Sequence, residues 1–503
     1  MSTIILLVLI LLAFHVRLMH FLYAPDLPYG MGDAAFHYQI GLRLFRGEPL
    51  DYVWNGLLYN EFQGRFFFPP LAYYIPAYAA KLTGEFQHTV YPVNALISSL
   101  AVLTTFLLVR ELLGEHPALA ASLFMALNIR DIESLMWGQW PAVYSLSLTP
   151  LIIYAGLKSV RQPHYLYISA FSTGLCVLTY PQTAVYAFAC VAAVALMHRR
   201  NLQWRWSHVA ASLAILLLVS SPVLLDWSRL SGKAAGEGGR VKDVLWSLLS
   251  WYPKDYENPI YPPEWYNPLQ RYTLFGLPLI AAGFILLFLN RDSKAGKTPF
   301  LLFLAMAVLF YLAVHLTQIL VSLPRALKYI LLEPYVLSIA FAAPFSPKLV
   351  DDRRLRIAAL ALLLLFTLNF LPMMFPSDRQ LALPGMRVTP KQLEALEWLR
   401  SNTGERSIVI YQGYRPMMLG WGTVLSGRRL VKPEGDGYYF QGVPVWLEGE
   451  AYALIDFNKP SQQPPPPEQT PDRLAAVDKS LENISAVAFR NEEIIIRRLL
   501  PSG

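Results

Sequence analysis

Asp33 and His37 are the first pair of residues whose types and spacing suit catalysis. Asp33 follows Gly32 shortly after a predicted first apolar span, and His37 comes one helical turn later on the same face. A carboxylate at a cavity between helices can take a proton from a substrate hydroxyl as a general base. The alternative is that Asp33 caps a helix that begins at Ala34, with His37 a structural histidine.

A second group of candidates opens a late apolar span and is suited to phosphate. Arg325, Lys328 and Tyr329 are spaced i, i+3 and i+4, so that in a helix they share one face. A guanidinium beside an ammonium is a good receptor for a phosphate or pyrophosphate. The alternative is that these side chains extend to lipid headgroups.

Two further connections carry candidate binding residues. Gln139 lies in the motif Trp137-Gly138-Gln139-Trp140-Pro141, whose tryptophans are typical of anchors at a membrane interface. Asp255 and Glu257 belong to an aromatic, Pro-rich stretch. They either meet Asp33 over one cavity, as a second acid or a metal ligand, or stay solvated in an exposed loop. The sequence contains no phosphate-binding loop, zinc-protease motif, serine-hydrolase motif or Cys-x-x-Cys.

Long apolar segments must position these candidates. Of the 503 residues, 54% are hydrophobic and 15% are charged, whereas a soluble domain has about 25% charged residues. This composition excludes a disordered chain and disfavours a purely soluble enzyme. The net charge of +7 is spread over short loops, which disfavours nucleic acid as a partner. Cys176 and Cys190 lie in apolar segments and give neither a disulfide framework nor a metal motif.

Eleven segments are apolar enough to predict transmembrane helices, since about 20 such residues cross a bilayer. They are residues 3–24, 92–109, 117–130, 140–157, 164–180, 182–197, 208–227, 273–290, 299–321, 325–345 and 356–375. The first is not a cleavable signal peptide, because it lacks a basic start and a small-residue cleavage site. Charge is nearly absent from the middle of the spans, where His315 and Gln318 are the main exceptions, whereas a transporter would need it.

Lysine and arginine are distributed unequally between the loops, and this asymmetry sets the orientation. The loops that share a side with the N-terminus contain Arg110, Lys158, Arg161, Arg199, Arg200, Arg205, Arg291, Lys294, Lys297, Lys348, Arg353, Arg354 and Arg356. The opposite short connections hold only Arg130 and Arg325. We therefore predict a multi-pass protein of the cell membrane with a cytoplasmic N-terminus and an extracytoplasmic C-terminus, as an odd number of spans requires.

Three long segments then fall outside the membrane, at residues 25–91, 228–272 and 376–503. The first contains two amphipathic stretches, residues 36–45 and 71–78, which predict helices lying on the bilayer surface. The spans and these outer loops together predict a transmembrane domain over residues 1–375.

The last segment predicts a small soluble α/β domain. A helix is indicated over residues 390–400, with Thr389 as its N-cap, and a strand over residues 407–411. Residues 485–489 and 493–497 predict a closing hairpin.

The order of these features resembles the polytopic GT-C glycosyltransferases, which have a long outer loop after the first span, an Asp at its start and often a soluble C-terminal domain. The motifs that carry this resemblance are Gly32-Asp33-Ala34-Ala35-Phe36-His37, Arg46-Gly47-Glu48-Pro49, Phe68-Pro69-Pro70-Leu71 and Leu323-Pro324-Arg325. They are similar to those of bacterial and archaeal GT-C-like membrane proteins often labelled "6-pyruvoyl-tetrahydropterin synthase-related", a label that says nothing about pterin chemistry.

Two departures from the superfamily narrow what the resemblance implies. The W-W-D-x-G motif of oligosaccharyltransferase catalytic subunits is absent, and Trp137-Gly138-Gln139-Trp140 does not replace it, so that asparagine-linked glycan transfer is disfavoured. A second acid directly beside Asp33 is also missing, which leaves metal dependence open.

The resemblance implies inverting transfer of a sugar from a polyprenyl-phosphate donor to an acceptor hydroxyl of a glycan, lipid or protein at the outer membrane face. Asp33 would be the general base. Donor phosphate and substrate would be bound by Arg325, Lys328, Tyr329, His37, Gln139, Asp255 and Glu257.

A lipid phosphate is a workable leaving group, so no cofactor is required. If a divalent cation (Mg²⁺ or Mn²⁺) takes part, Asp33 with Asp255 or Glu257 would ligate it. The alternatives are a lipid or solute transporter or flippase, and a non-catalytic membrane scaffold whose outer domain binds a partner.

Overall fold

The computed structural model describes residues 2–30, 33–48, 70–224, 268–320, 330–375, 387–404, 407–413, 417–431, 450–457, 471–482 and 485–499. Within these ranges the chain forms a bundle of apolar helices followed by a small mixed β-sheet with its own helices. The helices of the bundle are α1 (Ser2–Tyr23), α2 (Ala34–Phe45), α3 (Leu71–Thr83), α4 (Gln87–Leu113), α5 (Glu115–Ala126), α6 (Ile129–Met136), α7 (Trp140–Ser159), α8 (Tyr165–Thr179), α9 (Pro181–Met197), α10 (Trp206–Leu224), α11 (Pro268–Leu289), α12 (Lys297–Leu320), α13 (Glu333–Ala342, between two 3₁₀ turns), α14 (Arg353–Asn369) and α15 (Leu371–Met374).

Each predicted span corresponds to helical structure in this bundle, with ends that differ by a few residues. Six of the described helices are long and apolar enough to cross a membrane: Ser2–Tyr23, Gln87–Leu113, Trp140–Ser159, Trp206–Leu224, Tyr272–Leu289 and Lys297–His315. The segments Tyr165–Thr179, Pro181–Met197 and Ile330–Phe345 are shorter apolar helices. The chain is therefore a polytopic α-helical membrane protein, and the number of eleven spans stays a prediction.

The predicted third span, residues 117–130, is not one helix. Helix α5 ends at Ala126, and α6 begins at Ile129 with Asn128 as its N-cap, whose side chain accepts a hydrogen bond from the Arg130 backbone N–H at 3.1 Å. Asparagine is among the preferred N-cap residues because it satisfies a free N–H of the first turn. The chain therefore reaches α7 through the separate short helix α6.

Helices α2 and α3 confirm the helical character predicted for the two amphipathic stretches. Phe36, Ile40 and Leu44 of α2 are buried, and α2 packs against α3. Helix α3 ends at Gly84, which adopts the left-handed conformation (φ +86°) that favours glycine at a helix C-terminus. Their position on a bilayer surface stays a prediction.

The C-terminal sheet confirms the predicted strand and hairpin. Its strands are β1 (Ile408–Gly413), β2 (Arg429–Val431), β3 (Ala451–Asp456), β4 (Ser485–Arg490) and β5 (Ile494–Leu499), in the order β2-β1-β3-β5-β4. The pairs β1–β2 and β1–β3 are parallel, whereas β5 is antiparallel to β3 and β4. Helices α16 (Pro390–Asn402), α17 (Met417–Ser426) and α18 (Pro471–Ser480) accompany it.

The predicted N-cap of α16 is confirmed in detail. The Thr389 hydroxyl accepts the Gln392 backbone N–H, and the Gln392 side chain accepts the Thr389 N–H, which together form a capping box. Gln392 is buried and also donates to Asp456 at 2.8 Å. The local sequence signal therefore coincides with a contact that ties α16 to the end of β3.

The apolar core at one end of the bundle continues into the sheet domain. Leu18 and Phe21 of α1 and Tyr91 of α4 belong to the same cluster of buried side chains as Leu396 of α16 and Trp421 of α17. This cluster also contains Tyr29, which precedes Asp33 in the sequence, and Phe36, which follows it, so that residues of this core flank Asp33 along the chain.

Candidate active site

Asp33 stands at the N-cap position of α2, but its side chain makes no capping hydrogen bond to the first turn of that helix. Its Oδ2 instead accepts a hydrogen bond from the Gln139 side-chain amide at 3.1 Å. The side chain is partly exposed. The capping interpretation expects a bond from the carboxylate to the α2 backbone, so this geometry favours a carboxylate shared between two elements.

His37 of α2 lies against Tyr73 of α3. It is buried, and its Nδ1 lies 2.7 Å from the hydroxyl of Tyr73. Burial, with the charge of Asp33 adding to it, raises the pKa of Tyr73 well above its usual value. The hydroxyl thus stays protonated, and it can donate to Nδ1 in the tautomer of His37 that carries its hydrogen on Nε2.

Gly138 lets the α6–α7 junction lie directly on the start of α2. Its φ of +75° is left-handed, and a Cβ at this position would stand 2.1 Å from the backbone nitrogen of Ala34. Both the backbone conformation and the lack of space therefore exclude a side chain at this position. The adjacent Gln139 is therefore placed by a backbone contact that requires glycine, which brings its amide to Asp33.

Trp140 packs beside His37 in the interior of the protein. It is only 2% exposed, and its ring centroid lies 6.2 Å from that of His37 and 6.0 Å from that of Tyr91. Its Nε1–H donates to the Leu135 carbonyl at 3.0 Å. The interpretation of this tryptophan as an interface anchor is therefore wrong, because the side chain packs inside the protein.

Two buried ion pairs lie close to this end of the bundle. Arg17 of α1 meets Asp131 of α6 at 3.4 Å, and both side chains are fully buried. Arg130 of α6 meets Glu333 of α13 at 2.5 Å, with almost no exposure of either. Glu333 lies near the middle of the predicted span 325–345 and is therefore a further exception to the expectation that charge is nearly absent from the middle of the spans.

Arg17 lies toward one end of α1 and has several hydrogen-bond partners. Arg17 is six residues from the end of α1 at Tyr23, which is about 9 Å along the axis at 1.5 Å per residue. Its guanidinium also donates to the Ser98 hydroxyl and to the carbonyls of Met125 and Ala126. The Arg17 guanidinium therefore joins α1 to α4, α5 and α6 near the end of α1 that leads to Asp33.

The structure thus brings Asp33, His37 and Gln139 together among the predicted site residues. Arg325, Lys328 and Tyr329, like Asp255 and Glu257, lie outside the described residues, so that their place in the site stays a prediction. The described residues contain no group of three or more His, Cys, Asp or Glu side chains that could hold a metal ion.

Sequence reasoning did not single out Tyr73, Gly138 or the ion pairs. Tyr73 lies within the predicted amphipathic stretch 71–78, but nothing local indicates which of its aromatic residues faces His37. Gly138 was visible only as part of the tryptophan motif. An ionisable residue inside an apolar span, such as Glu333, is by itself a signal of a buried partner.

Comparison with known proteins agrees with this architecture. Residues 68–225, under a third of the chain, match the family described as dolichyl-phosphate-mannose-protein mannosyltransferase. Comparison with curated proteins finds no match.

Several solved structures are similar in fold. ArnT from Cupriavidus metallidurans in the apo state is 13% identical, covers 99% of this chain and 97% of its own, and superposes with a TM-score of 0.57. The same protein is known bound to undecaprenyl phosphate, at 12% identity, with coverage of 99% of this chain and 97% of its own and a TM-score of 0.55. The apo oligosaccharyltransferase of Archaeoglobus fulgidus is 14% identical, covers 91% of this chain and 69% of its own, and has a TM-score of 0.55.

Proposed function

Because the chain has the fold of the GT-C membrane glycosyltransferases, we propose that it is an inverting glycosyltransferase. It moves a sugar from a polyprenyl-phosphate-linked donor to an acceptor hydroxyl. The observation that carries this proposal is the placement of the Asp33 carboxylate against Gln139, away from the helix cap it could have formed. The undecaprenyl phosphate bound to ArnT supports a lipid-phosphate donor.

In this mechanism Asp33 is the general base. Its carboxylate takes the proton of the acceptor hydroxyl while that oxygen attacks C1 of the sugar, and the lipid phosphate leaves from the opposite face. Gln139 orients the carboxylate through Oδ2. His37, whose ring is fixed by Tyr73, presents an N–H to the substrate.

The leaving phosphate needs cationic partners, for which we propose Arg325 and Lys328, with Tyr329 beside them. We also propose that Asp255 and Glu257 take part in substrate binding. A lipid phosphate leaves without a metal ion, so the proposed reaction requires no cofactor. The proposed location is the cell membrane, with the N-terminus in the cytoplasm and the sheet domain outside.

The decisive experiment compares Asp33→Asn with Asp26→Asn in the full chain, reconstituted in lipid nanodiscs. Asp26 precedes Asp33 in the same connection, and its side chain is 84% exposed, so that it is a matched control. The probes are dolichyl-phosphate mannose and a panel of undecaprenyl-phosphate sugars, and the measurement is release of the lipid phosphate. General base catalysis contributes about 10²–10⁴-fold, so Asp33→Asn should lose at least that much turnover.

Binding of undecaprenyl phosphate should be the same in wild type and Asp33→Asn, because the substitution removes a charge without changing shape. Asp26→Asn should retain wild-type turnover. If Asp33→Asn turns over the donor as fast as wild type, Asp33 is not the base and a non-catalytic function takes the place of this proposal.

A further inference from the structure

The sheet domain is bonded directly to the connecting segment, residues 24–30, that leads from α1 to Asp33. Arg387, which precedes α16, donates from Nη1 to the carbonyls of Ala24 at 2.6 Å and Leu27 at 3.0 Å, and from Nη2 to the carbonyl of His20. The Val388 backbone N–H donates to Pro28 at 3.3 Å. One residue of the domain therefore bonds a carbonyl in the last turn of α1, that of His20, and two carbonyls of the segment that follows.

The guanidinium of Arg387 also suits this place electrostatically. The C-terminal end of a helix carries partial negative charge, which favours a cation. The same group lies 5.2 Å from the ring centroid of Tyr29, within the range of a cation–π contact. Tyr29 in turn stacks on Tyr91 of α4, with ring centroids 4.4 Å apart.

Trp421 makes the second link, and it is closer to Asp33. Its indole Nε1–H donates to the carbonyl of Gly30 at 2.9 Å, and the side chain is fully buried. A buried indole N–H needs a hydrogen-bond partner. The ring also packs edge-on against Tyr38 of α2, at 5.2 Å between centroids.

Gly30 is packed closely against two elements of the site. Its φ of +124° is in the range that favours glycine, and a Cβ there would stand 2.5 Å from Cβ of Ala34 and 3.0 Å from the carbonyl oxygen of Met136. The residue is thus held between the first turn of α2 and the end of α6. A shift of its carbonyl would be transmitted to both elements that carry Asp33 and Gln139.

From these contacts we infer that the sheet domain positions Asp33, with Trp421 and Arg387 as the positioning residues. Both fix the backbone of the connecting segment that leads to Asp33. The consequence for sugar transfer rests on the proposed function, whereas the positioning itself does not.

The test is a pair of matched tryptophan substitutions in the full-length protein in lipid nanodiscs. Trp421→Phe removes the N–H and keeps an aromatic ring against Tyr38. Trp398→Phe is the control, because Trp398 lies in α16 of the same domain and packs on Phe489 and Tyr452, at 5.7 and 6.4 Å between centroids.

The first measurement is hydrogen–deuterium exchange over the peptide that contains residues 24–37. Leu27 and Tyr29 donate their amides to Ala24 and to the Tyr91 hydroxyl, so both report on this segment. Loss of one hydrogen bond should accelerate their exchange by about two- to tenfold in Trp421→Phe and leave it unchanged in Trp398→Phe.

The second measurement is the rate at which a water-soluble carbodiimide with an amine labels Asp33, with Asp292, whose side chain is 90% exposed, as internal reference. A merely structural contact would leave this ratio unchanged, whereas a displaced Asp33 changes it several-fold. Arg387→Lys keeps the charge but cannot reach three carbonyls, so its ratio should fall between those of wild type and Arg387→Gln. This series decides the matter if Trp421→Phe does not fold.

The outcomes separate this inference from the proposed function. If exchange and labelling in Trp421→Phe and in both Arg387 variants equal those of wild type, the positioning inference is overturned, whatever Asp33→Asn shows. If labelling changes while Asp33→Asn keeps full turnover, the sheet domain positions Asp33 but the proposed base is wrong. If both proposals hold, Trp421→Phe lowers kcat by up to about a hundredfold with an unchanged KM for the donor, since a 1 Å misplacement can cost that much.

Discussion

The Arg17–Asp131 pair allows a quantitative prediction about what holds the Asp33 end of the bundle together. We expect Arg17→Met and Asp131→Leu each to destabilise the protein strongly, and the double variant to be much less harmful than their sum. The reason is that each single substitution leaves one charge buried without its partner, whereas the double substitution removes both charges.

The magnitude follows from the geometry of the pair. At the 3.4 Å between Arg17 Nη2 and Asp131 Oδ2, two unit charges attract by about 5 kcal/mol at an effective dielectric constant of about 20. Loss of one partner from a buried pair costs about 3–5 kcal/mol, which is consistent with that attraction. Because both side chains are fully buried, little of the loss can be recovered by hydration. The coupling between the two substitutions should therefore be about 3 kcal/mol.

The assay is a double-mutant cycle on the free energy of unfolding of the full chain in mixed micelles titrated with SDS. The control cycle uses Lys391→Met and Glu394→Leu, a pair 3.6 Å apart whose side chains are 39% and 51% exposed. Exposed pairs contribute about 0–1 kcal/mol, so this coupling should be small. Additivity of the Arg17 and Asp131 substitutions within about 0.5 kcal/mol would refute the reasoning.

Three further predictions test other parts of the structure. Gly138→Ala should reduce both turnover and thermal stability, because its Cβ would stand 2.1 Å from the Ala34 nitrogen; wild-type melting temperature and turnover would contradict the close contact. The pKa of Tyr73 is raised in the folded protein, so that the contribution of its protonated form to the free energy of unfolding is fully present below about pH 10, the usual tyrosine pKa. That contribution is lost only as the pH rises through the higher pKa of the folded state. Tyr73→Phe should consequently leave the shape of the pH–rate profile unchanged up to pH 10, and a new titration below that pH would contradict it. A reporter fused after Arg200 should be cytoplasmic and one fused at the C-terminus external, because of the lysine and arginine asymmetry; the reverse result would overturn the proposed orientation.

Local sequence signals were sufficient where local physics decides the structure. The apolar run of α1, the capping box at Thr389 and the strands of the C-terminal hairpin each depend on residues close together in the chain. The α/β character of the last segment followed from them. The prediction of one continuous helix for the third span was wrong, because a hydropathy pattern does not show that Asn128 begins a new helix within an apolar stretch.

The site could be predicted only in part, because its geometry depends on contacts distant in sequence. Asp33 and His37 were identifiable from their spacing and from the resemblance, since both lie on one helix. Gln139 is 106 residues from Asp33, and its approach depends on the backbone conformation of Gly138. Residue type and spacing carry no information about such a contact.

The ion pairs and the site contacts involve the same two parts of the chain, and this explains how a partly exposed carboxylate can be held in place. Helix α1 carries Arg17 and leads to Asp33, and α6 begins near Asp131 and leads to Gln139. The Arg17–Asp131 pair fixes these helices to each other in the interior, and the Gln139–Asp33 hydrogen bond joins the segments that follow them. A catalytic group must be held to about 0.5 Å, which elements anchored by a buried pair achieve better than a free loop. The proposed base can therefore remain open to substrate without losing its position, because the restraint acts on the helices behind it.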